Sequence, residues 1–478
     1  MNVTLVRQKV RALAGSKGVD ADTMREIGKI LEGSDDWDLH RINPLGFAKA
    51  HGLDPALTVE AFVHGAKAGL FDFEWMLLCP VCGAVIRGEE SIGAINRERY
   101  HCATCDVDTV TDLDDFVEVA FSVAPTVKKL RIAPFSSQDS YFRYFYSGHH
   151  TMPPEFEEYR RTRGFRGFAF IEGGEAGTMA TTTEPNGLYR VVNPDGNALL
   201  RLTTGAAKSA DPLIVDVDLA DAGFEPADLR VPWGQTTVRI RNRRSRMAGV
   251  MMNFIDLPAI MAIIGREPPR DEPFLTGKML LGNQSFRDLF RIQDLPLDLK
   301  LKVSHVTVLF TDLKGSTELY DRTGDVAAYN LVHEHFGVLR EATRARGGAV
   351  VKTIGDAVMA VFPSPLEALR AARDMLQGIR AMNAQPGRRQ MALKIGFHAG
   401  TALVVTANET MDYFGQTVNV AARVQGLADG GELWTTGQVF RTPSFRKALE
   451  DEGFAFERRS AVLKGVRKPV TVYKCVGC

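Results

Sequence analysis

Asp312, in Phe310-Thr311-Asp312-Leu313-Lys314-Gly315-Ser316-Thr317, and Asp356, in Lys352-Thr353-Ile354-Gly355-Asp356, stand where strand-like segments run out. Val306 to Phe310 is a β-branched and aromatic run, and Gly315, Ser316 and Thr317 read as the opening of a helix. A carboxylate at a strand end, followed by free helix-start amides, suits a cation and its phosphates. Asp356 lies between the runs Ala349 to Ile354 and Ala357 to Phe362, with Gly355-Asp356 as a tight hairpin connection. If these strands pair with the first, both carboxylates face one space and can hold two divalent ions against a polyphosphate, the arrangement for in-line displacement at phosphorus. The other reading of the same spacing is a pair of solvated turn aspartates.

Further residues bear on that choice. Gln416 to Leu427 reads as a helix in which Asn419 and Arg423, four apart, share a face. An arginine and an amide together can stabilise charge on a pentavalent phosphorus and orient a ribose. Lys464, in Leu463-Lys464-Gly465, sits in a turn between two strand-like runs and is a natural phosphate contact. Lys352 shares one face of a mostly apolar hairpin with Ile354, so its ammonium needs an acceptor such as a ring nitrogen of a base. Asp412, just before Tyr413, can accept from an exocyclic amine.

These motifs, at 310–317, 352–356, 412–423 and 463–465, resemble a class III nucleotide cyclase catalytic domain in type and order, from about Ser304 to Lys474. The resemblance implies a ferredoxin-like domain that works as a homodimer with sites at the subunit interface, converting ATP to cyclic AMP and pyrophosphate. It implies that Asp312 and Asp356 hold two Mg2+ or Mn2+ per site and that Lys352 and Asp412 select adenine. Asn419 would orient the ribose, Arg423 would stabilise the transition state, and Lys464 would contact the triphosphate. Guanine-specific members carry an acidic residue where Lys352 stands, so an adenylate cyclase is implied, with a guanylate cyclase or a catalytically silent nucleotide-binding module as alternatives. The Gly-Gly-Asp/Glu-Glu-Phe turn of diguanylate cyclases is absent. One departure concerns the dimer arm: where many members have a glycine-containing hairpin, this chain reads Thr401 to Asn408 without one.

The elements that must position this chemistry fill a chain of 478 residues, 45% hydrophobic and 24% charged, which is ordinary for a globular protein of about three domains. Lys plus Arg equals Asp plus Glu at 58 each, so no net field draws the whole molecule onto nucleic acid or an anionic membrane. Met1 to Val10 lacks a signal-peptide pattern, which implies a cytoplasmic protein. Met247 to Ile264 is the one span-like stretch, but Asn253, Asp256 and Pro258 interrupt it. A buried strand and a short core helix are expected there, not a membrane span.

Cys79-Pro-Val-Cys82 and Cys102-Ala-Thr-Cys105 are separated by 19 residues, the spacing of a four-cysteine ribbon closing one structural Zn2+ per chain. Disulfides are not expected in a reducing compartment, and Cys475 with Cys478 reads as incidental. Asn43 to Gly52 and Pro55 to Gly69 have helical spacing, as a winged-helix-like module or a plain packing pair. Pro44 to Trp75 carries Lys49 and Lys67 against Asp54, Glu60, Asp72 and Glu74, a net −2 that argues against a nucleic-acid reader and for an interaction or ligand-sensing module.

From Phe116 to Asn253 short alternating runs between Gly173-Gly174, Asn186-Gly187 and Asp195-Gly196 predict a β-sandwich or barrel. Within it Tyr141, Tyr144, Tyr146, His149 and His150 either line a ligand site or serve packing and turns. Phe274 to Ile292 reads as an amphipathic segment leading into the first catalytic strand. The expected class is α+β: a helical module at 1–75, a zinc ribbon at 76–115, a β-rich regulatory domain at 116–265 receiving an unknown ligand or protein, a linker and transducing helix at 266–303, and a ferredoxin-like catalytic domain at 304–478.

Overall fold

In the computed structural model, which describes residues 1–89, 99–110, 116–290, 301–315, 325–385, 390–407, 410–451, 454–466 and 468–476, the chain begins with four helices. These are α1 (Val3–Ala14), α2 (Ala21–Gly33), α3 (Pro44–His51) and α4 (Pro55–Lys67). The last two start as their sequence dictates, with Asn43 and Asp54 accepting from amides of the first turn and proline at the first helical position. Gly52 ends α3 at φ 65°, where only glycine is free of strain. Strands β1 (Phe71–Leu78), β2 (Val85–Glu89) and β5 (Val117–Val123) form one sheet in the order β2-β1-β5, while β3 (Arg99–Cys102) and β4 (Val107–Val110) form a hairpin beside it. Because Phe71 to Leu77 pair with Val117 to Val123, the boundary drawn at 115/116 falls inside this sheet.

After α5 (Gln138–Phe145) and α6 (Pro154–Tyr159), strands β7 to β15 between Phe165 and Phe254 make a sandwich of a five-stranded and a four-stranded sheet around its own core. The anticipated turns are present: Gly174 and Asn186 have φ of 82° and 53°. Helix α7 (Leu257–Arg266) departs from expectation. It follows the buried strand Ala248–Phe254, but it is not a core helix, since Leu257 and Met261 are more than half exposed and only Ile263 is buried. Among the described residues no helix is long and apolar enough to cross a membrane.

Over its described residues, 274–290, the amphipathic segment is two short helices and not one, α8 (Gly277–Leu281) and α9 (Gln284–Leu289). The break comes at Gly282-Asn283, where Asn283 accepts from Phe286 N and starts α9 afresh.

The C-terminal third is built on an eight-stranded sheet of β17 (Leu301–Leu313), β18 (Ala349–Ile354), β19 (Ala357–Phe362), β20 (Leu393–Ala407), β21 (Thr410–Phe414), β22 (Leu433–Thr436), β23 (Ala455–Ala461) and β24 (Val470–Val476). Its order is β18-β19-β17-β20-β22-β24-β23, with β21 paired to the arm of β20. Leu309 and Leu313 pack with α10 (Asp325–Ala345) and α11 (Pro365–Asn383), which cover one face. Val306, Val308 and Phe310 turn to the other face, as the two-residue period of a strand requires, and Asp312 is next in that series. On this second face lie α12 (Gln416–Gln425) and the helices α8 and α9. Gly396 lets α12 lie on β20, because a Cβ there would sit 2.2 Å from Gln425 N. Cys475 on β24 is disulfide-bonded, against its reading as an incidental thiol, and Cys478 lies outside the described residues.

Candidate functional site

Asp312 is the penultimate residue of β17, and Asp356 follows Gly355 (φ 64°) in the β18–β19 turn. Leu313 N donates to Asp356 Oδ2 at 3.3 Å, so the hairpin turn brings the Asp356 carboxylate against the end of β17, one residue from Asp312. Val358 N donates to Thr311 Oγ1 at 3.2 Å and fixes the hairpin to β17. Two partly exposed carboxylates at one strand end supply hard oxygen donors and leave room for phosphate oxygens, which fits a divalent ion of the Mg2+ type. Ser316 and Thr317 lie outside the described residues, whereas Gly315 (φ 71°) is exposed at the turn after the strand.

Two neighbours of this pair had no sequence signal of their own. Lys394 on β20 stands opposite Asp312 in register and forms an ion pair with its carboxylate. His335 of α10 is wholly buried, and burial holds its imidazole below the usual range against the opposing influence of Asp356.

Lys352 and Asp412 come from different strands, β18 and β21, and form an ion pair with each other. The acceptor that Lys352 needs is present within the chain: its side chain is 40% exposed, and it pairs with the Asp412 carboxylate. Asp412 is the fixed partner, 7% exposed, with Oδ1 accepting from Tyr413 N at 2.8 Å. Helix α9 spans both strands. Gln284 Oε1 accepts from Val350 N at 2.7 Å, and Arg287 donates to Met411 O at 2.6 Å beside the Tyr413 ring. Burial lowers the Arg287 guanidinium, with Tyr413 and Asp412 opposing that shift.

Asn419 and Arg423 are exposed on one face of α12, and Lys464 is exposed in the turn between β23 and β24. Among the described residues no hydrogen bond or ion pair joins Asn419, Arg423 or Lys464 to Asp312 or Asp356.

A second candidate metal centre lies in the N-terminal half. The Sγ atoms of Cys79, Cys82, Cys102 and Cys105 all lie within 4.8 Å of one another, with pairs at 3.3 and 3.7 Å. A tetrahedron with Zn–S bonds of 2.3 Å has edges of about 3.8 Å, so the donor set fits Zn2+. Gly83 N to Cys79 O and Asp106 N to Cys102 O, at 2.9 and 2.8 Å, close the two knuckles. Elemental analysis of protein purified without added metal should find one zinc per chain. Four free, titratable thiols with no zinc would remove the centre. Cys79→Ser should destabilise the two knuckles and the β3–β4 hairpin far more than the catalytic sheet, read by local amide exchange, because metal-binding free energy is local folding free energy.

Comparison with known proteins follows this division. A family of unknown function (DUF5939) matches residues 8–288, and the adenylate and guanylate cyclase catalytic domain matches residues 300–476. An adenylate cyclase of Mycosarcoma maydis is 31% identical over 159 residues, which cover 29% of this chain and 6% of that protein. An uncharacterized protein of Mycobacterium tuberculosis is 32% identical over 167 residues, covering 34% and 39% of the two chains. The chain thus spans well under half the length of either relative. Among solved structures, the adenylyl cyclase CyaB from P. aeruginosa is 23% identical with a TM-score of 0.31, covering 37% of this chain and 96% of that one. The guanylate cyclase domain of RhGC from Catenaria anguillulae, in complex with GTP, is 21% identical with a TM-score of 0.31, covering 37% and 97%. The chain belongs to that family of unknown function over residues 8–288 and carries, over residues 300–476, a catalytic domain of the adenylate and guanylate cyclase family.

Proposed function

We propose that the chain is an adenylate cyclase, forming 3′,5′-cyclic AMP and pyrophosphate from ATP in a homodimer. The observation that carries this reading is the Lys352–Asp412 pair, held by two different strands, which offers one donor and one acceptor to the N1 and N6 edge of adenine. Guanine presents the opposite pattern at those positions, so the same two groups would oppose GTP.

Asp312 and Asp356 would hold two divalent ions. When bound, these supply an acidified 3′-hydroxyl and neutralise the departing pyrophosphate. Gly315, Ser316 and Thr317 follow the first carboxylate and would give backbone amides to the phosphates. Arg423 would meet the charge that builds on the α-phosphorus, and Asn419 would fix the ribose so that its 3′-oxygen lies in line. Lys464 would hold the triphosphate tail. In this reading the carboxylates of one protomer work with the α12 face of its partner.

The test is product identification from the purified full-length chain with ATP and GTP supplied together and Mg2+ or Mn2+ present. Cyclic AMP should dominate. Cyclic GMP as the main product would make the chain a guanylate cyclase, and neither product would make the domain a silent nucleotide-binding module. Truncating both Lys352 and Asp412 to alanine should lower the ATP-over-GTP ratio of kcat/KM by at least about tenfold, because a site built on hydrogen bonds discriminates by leaving its own groups unpaired. An unchanged ratio would assign base selection to other residues.

A further inference from the structure

A cavity of about 770 Å3 opens in the N-terminal half between α3, the sheet β2-β1-β5 and the segment after α5. It is within the size range of sites that enclose a small organic molecule. Its walls include Trp37, Phe47, Tyr144 and Tyr146. Three cations also line it, and each is already matched to a carboxylate: Arg41 to Glu74, Arg143 to Asp38 and Lys49 to Glu272. One acid is left over. Glu118, on β5, lines the cavity with its side chain only 4% exposed, and among the described residues its carboxyl makes no hydrogen bond. His149 Nδ1 lies 3.6 Å from it, too far for a hydrogen bond, and that imidazole is engaged with Ser147 Oγ at 2.7 Å. A buried carboxyl without a partner is costly unless something that enters the cavity completes it.

We propose that this cavity binds a small organic cation, an amine or amidine on an apolar or aromatic body, whose N–H groups are received by Glu118. The pairing of the lining favours this class: Arg143 and Lys49 are matched to Asp38 and Glu272, and Arg41 to Glu74 from outside the lining, so Glu118 is the lining carboxylate left without a cation, which one monocation supplies. A bare metal ion is not favoured, because Asp38 and Glu272 are already paired with Arg143 and Lys49, and Glu118 alone lacks the oxygen donors such an ion takes. Burial raises the Glu118 carboxyl to about 8, with Arg41 acting against the shift and Glu74 with it, and burial lowers His149 to about 4. A cation must therefore displace a proton from Glu118, so its affinity should rise as pH increases toward that value.

The site is wired toward the catalytic domain. Val119 N donates to Leu275 O at 2.8 Å, Glu118 bridges Thr276, and the His149 ring stacks on Phe274 at 4.2 Å. Thr276 then caps α8, and α9 carries the contacts of Gln284 and Arg287 to β18 and β21. Occupancy of the cavity is transmitted along this segment to the strands bearing Lys352 and Asp412.

Isothermal titration of the full-length chain with benzamidine and with benzamide, which share a shape and differ in charge, tests the site without reference to catalysis. Benzamidine should bind at least about tenfold more tightly, and Glu118→Gln should abolish that preference. Equal binding of the two, an undiminished preference in Glu118→Gln, or no binding of benzamidine, phenethylammonium or butylammonium at about 10 mM, would overturn the proposal. If Glu118→Gln does not fold, the wild-type ratio decides alone. Turnover measured at saturating benzamidine then reports the wiring: a changed rate supports it, and an unchanged rate overturns the transmission while leaving the site standing.

Discussion

Replacing Asp356 by alanine should lower cyclic nucleotide formation by about 10³-fold or more, with the melting profile unchanged, because loss of a ligand to a phosphate-bridging ion removes several kcal/mol of transition-state stabilisation. The side chain lies in a tight turn whose conformation rests on Gly355, so its removal leaves the β18–β19 pairing in place. Asp312→Ala should have an effect of the same size for a partly different reason. It deletes a second carboxylate and also releases Lys394, whose ammonium then competes with a metal for the remaining oxygens. Rates measured with Mg2+ and with Mn2+, alongside thermal unfolding, check both variants. Activity within a few-fold of wild type in either, with a normal melt, would mean that the ions bind elsewhere.

A mixture of two dead chains should be active. Arg423→Ala alone removes one preorganised charge contact, costing on the order of 10² to 10³ in rate. If the carboxylates of one protomer serve the α12 face of the other, a dimer of one Asp356→Ala chain and one Arg423→Ala chain has one intact site and one site lacking both groups. With free exchange, about half the dimers are mixed, each with one working site of two, so about a quarter of wild-type activity is expected. Co-expressed, co-purified mixed dimers that show only the sum of the two mutants would place the whole site within one chain. That no hydrogen bond or ion pair among the described residues joins Asp312 or Asp356 to Arg423, Asn419 or Lys464 motivates the experiment.

What the sequence revealed depended on whether the signal was local. Asp312 and Asp356 were visible because a strand end and a glycine turn are short-range features, and β18 and β19 fall on the residues read as strands. The four cysteines were legible because ligand spacing is itself a constraint. Helical spacing over 43–52 and 55–69 located α3 and α4 for the same reason. Features set by distant partners stayed hidden. The acceptor of Lys352 lies 60 residues away, and only the β20–β21 hairpin brings it there. Lys394 became visible only through the register of β17 with β20. Periodicity across 274–292 ran through Gly282-Asn283 without registering that a cap residue there restarts the helix. The aromatic and histidine stretch 141–150 left two readings open, and it forms both a packed helix, with Tyr141 fully buried, and one wall of a cavity.

One apolar core runs from Phe62 on α4 and Phe121 on β5, through Leu281 and Phe286, to Phe310, Met359 and Tyr413 in the catalytic sheet, whereas the interior of the β-sandwich is a cluster of its own. Calorimetric cooperativity follows shared burial and not sequence boundaries, so the helical module and the catalytic domain should melt together, with the sandwich as the separable unit. A fragment cut between residues 288 and 300, where the two family matches part, would divide a single hydrophobic interior and leave the sheet face of Val308, Phe310 and Val361 open to water. Such a fragment would seek another apolar surface, so its association and activity would describe a different molecule from the intact chain.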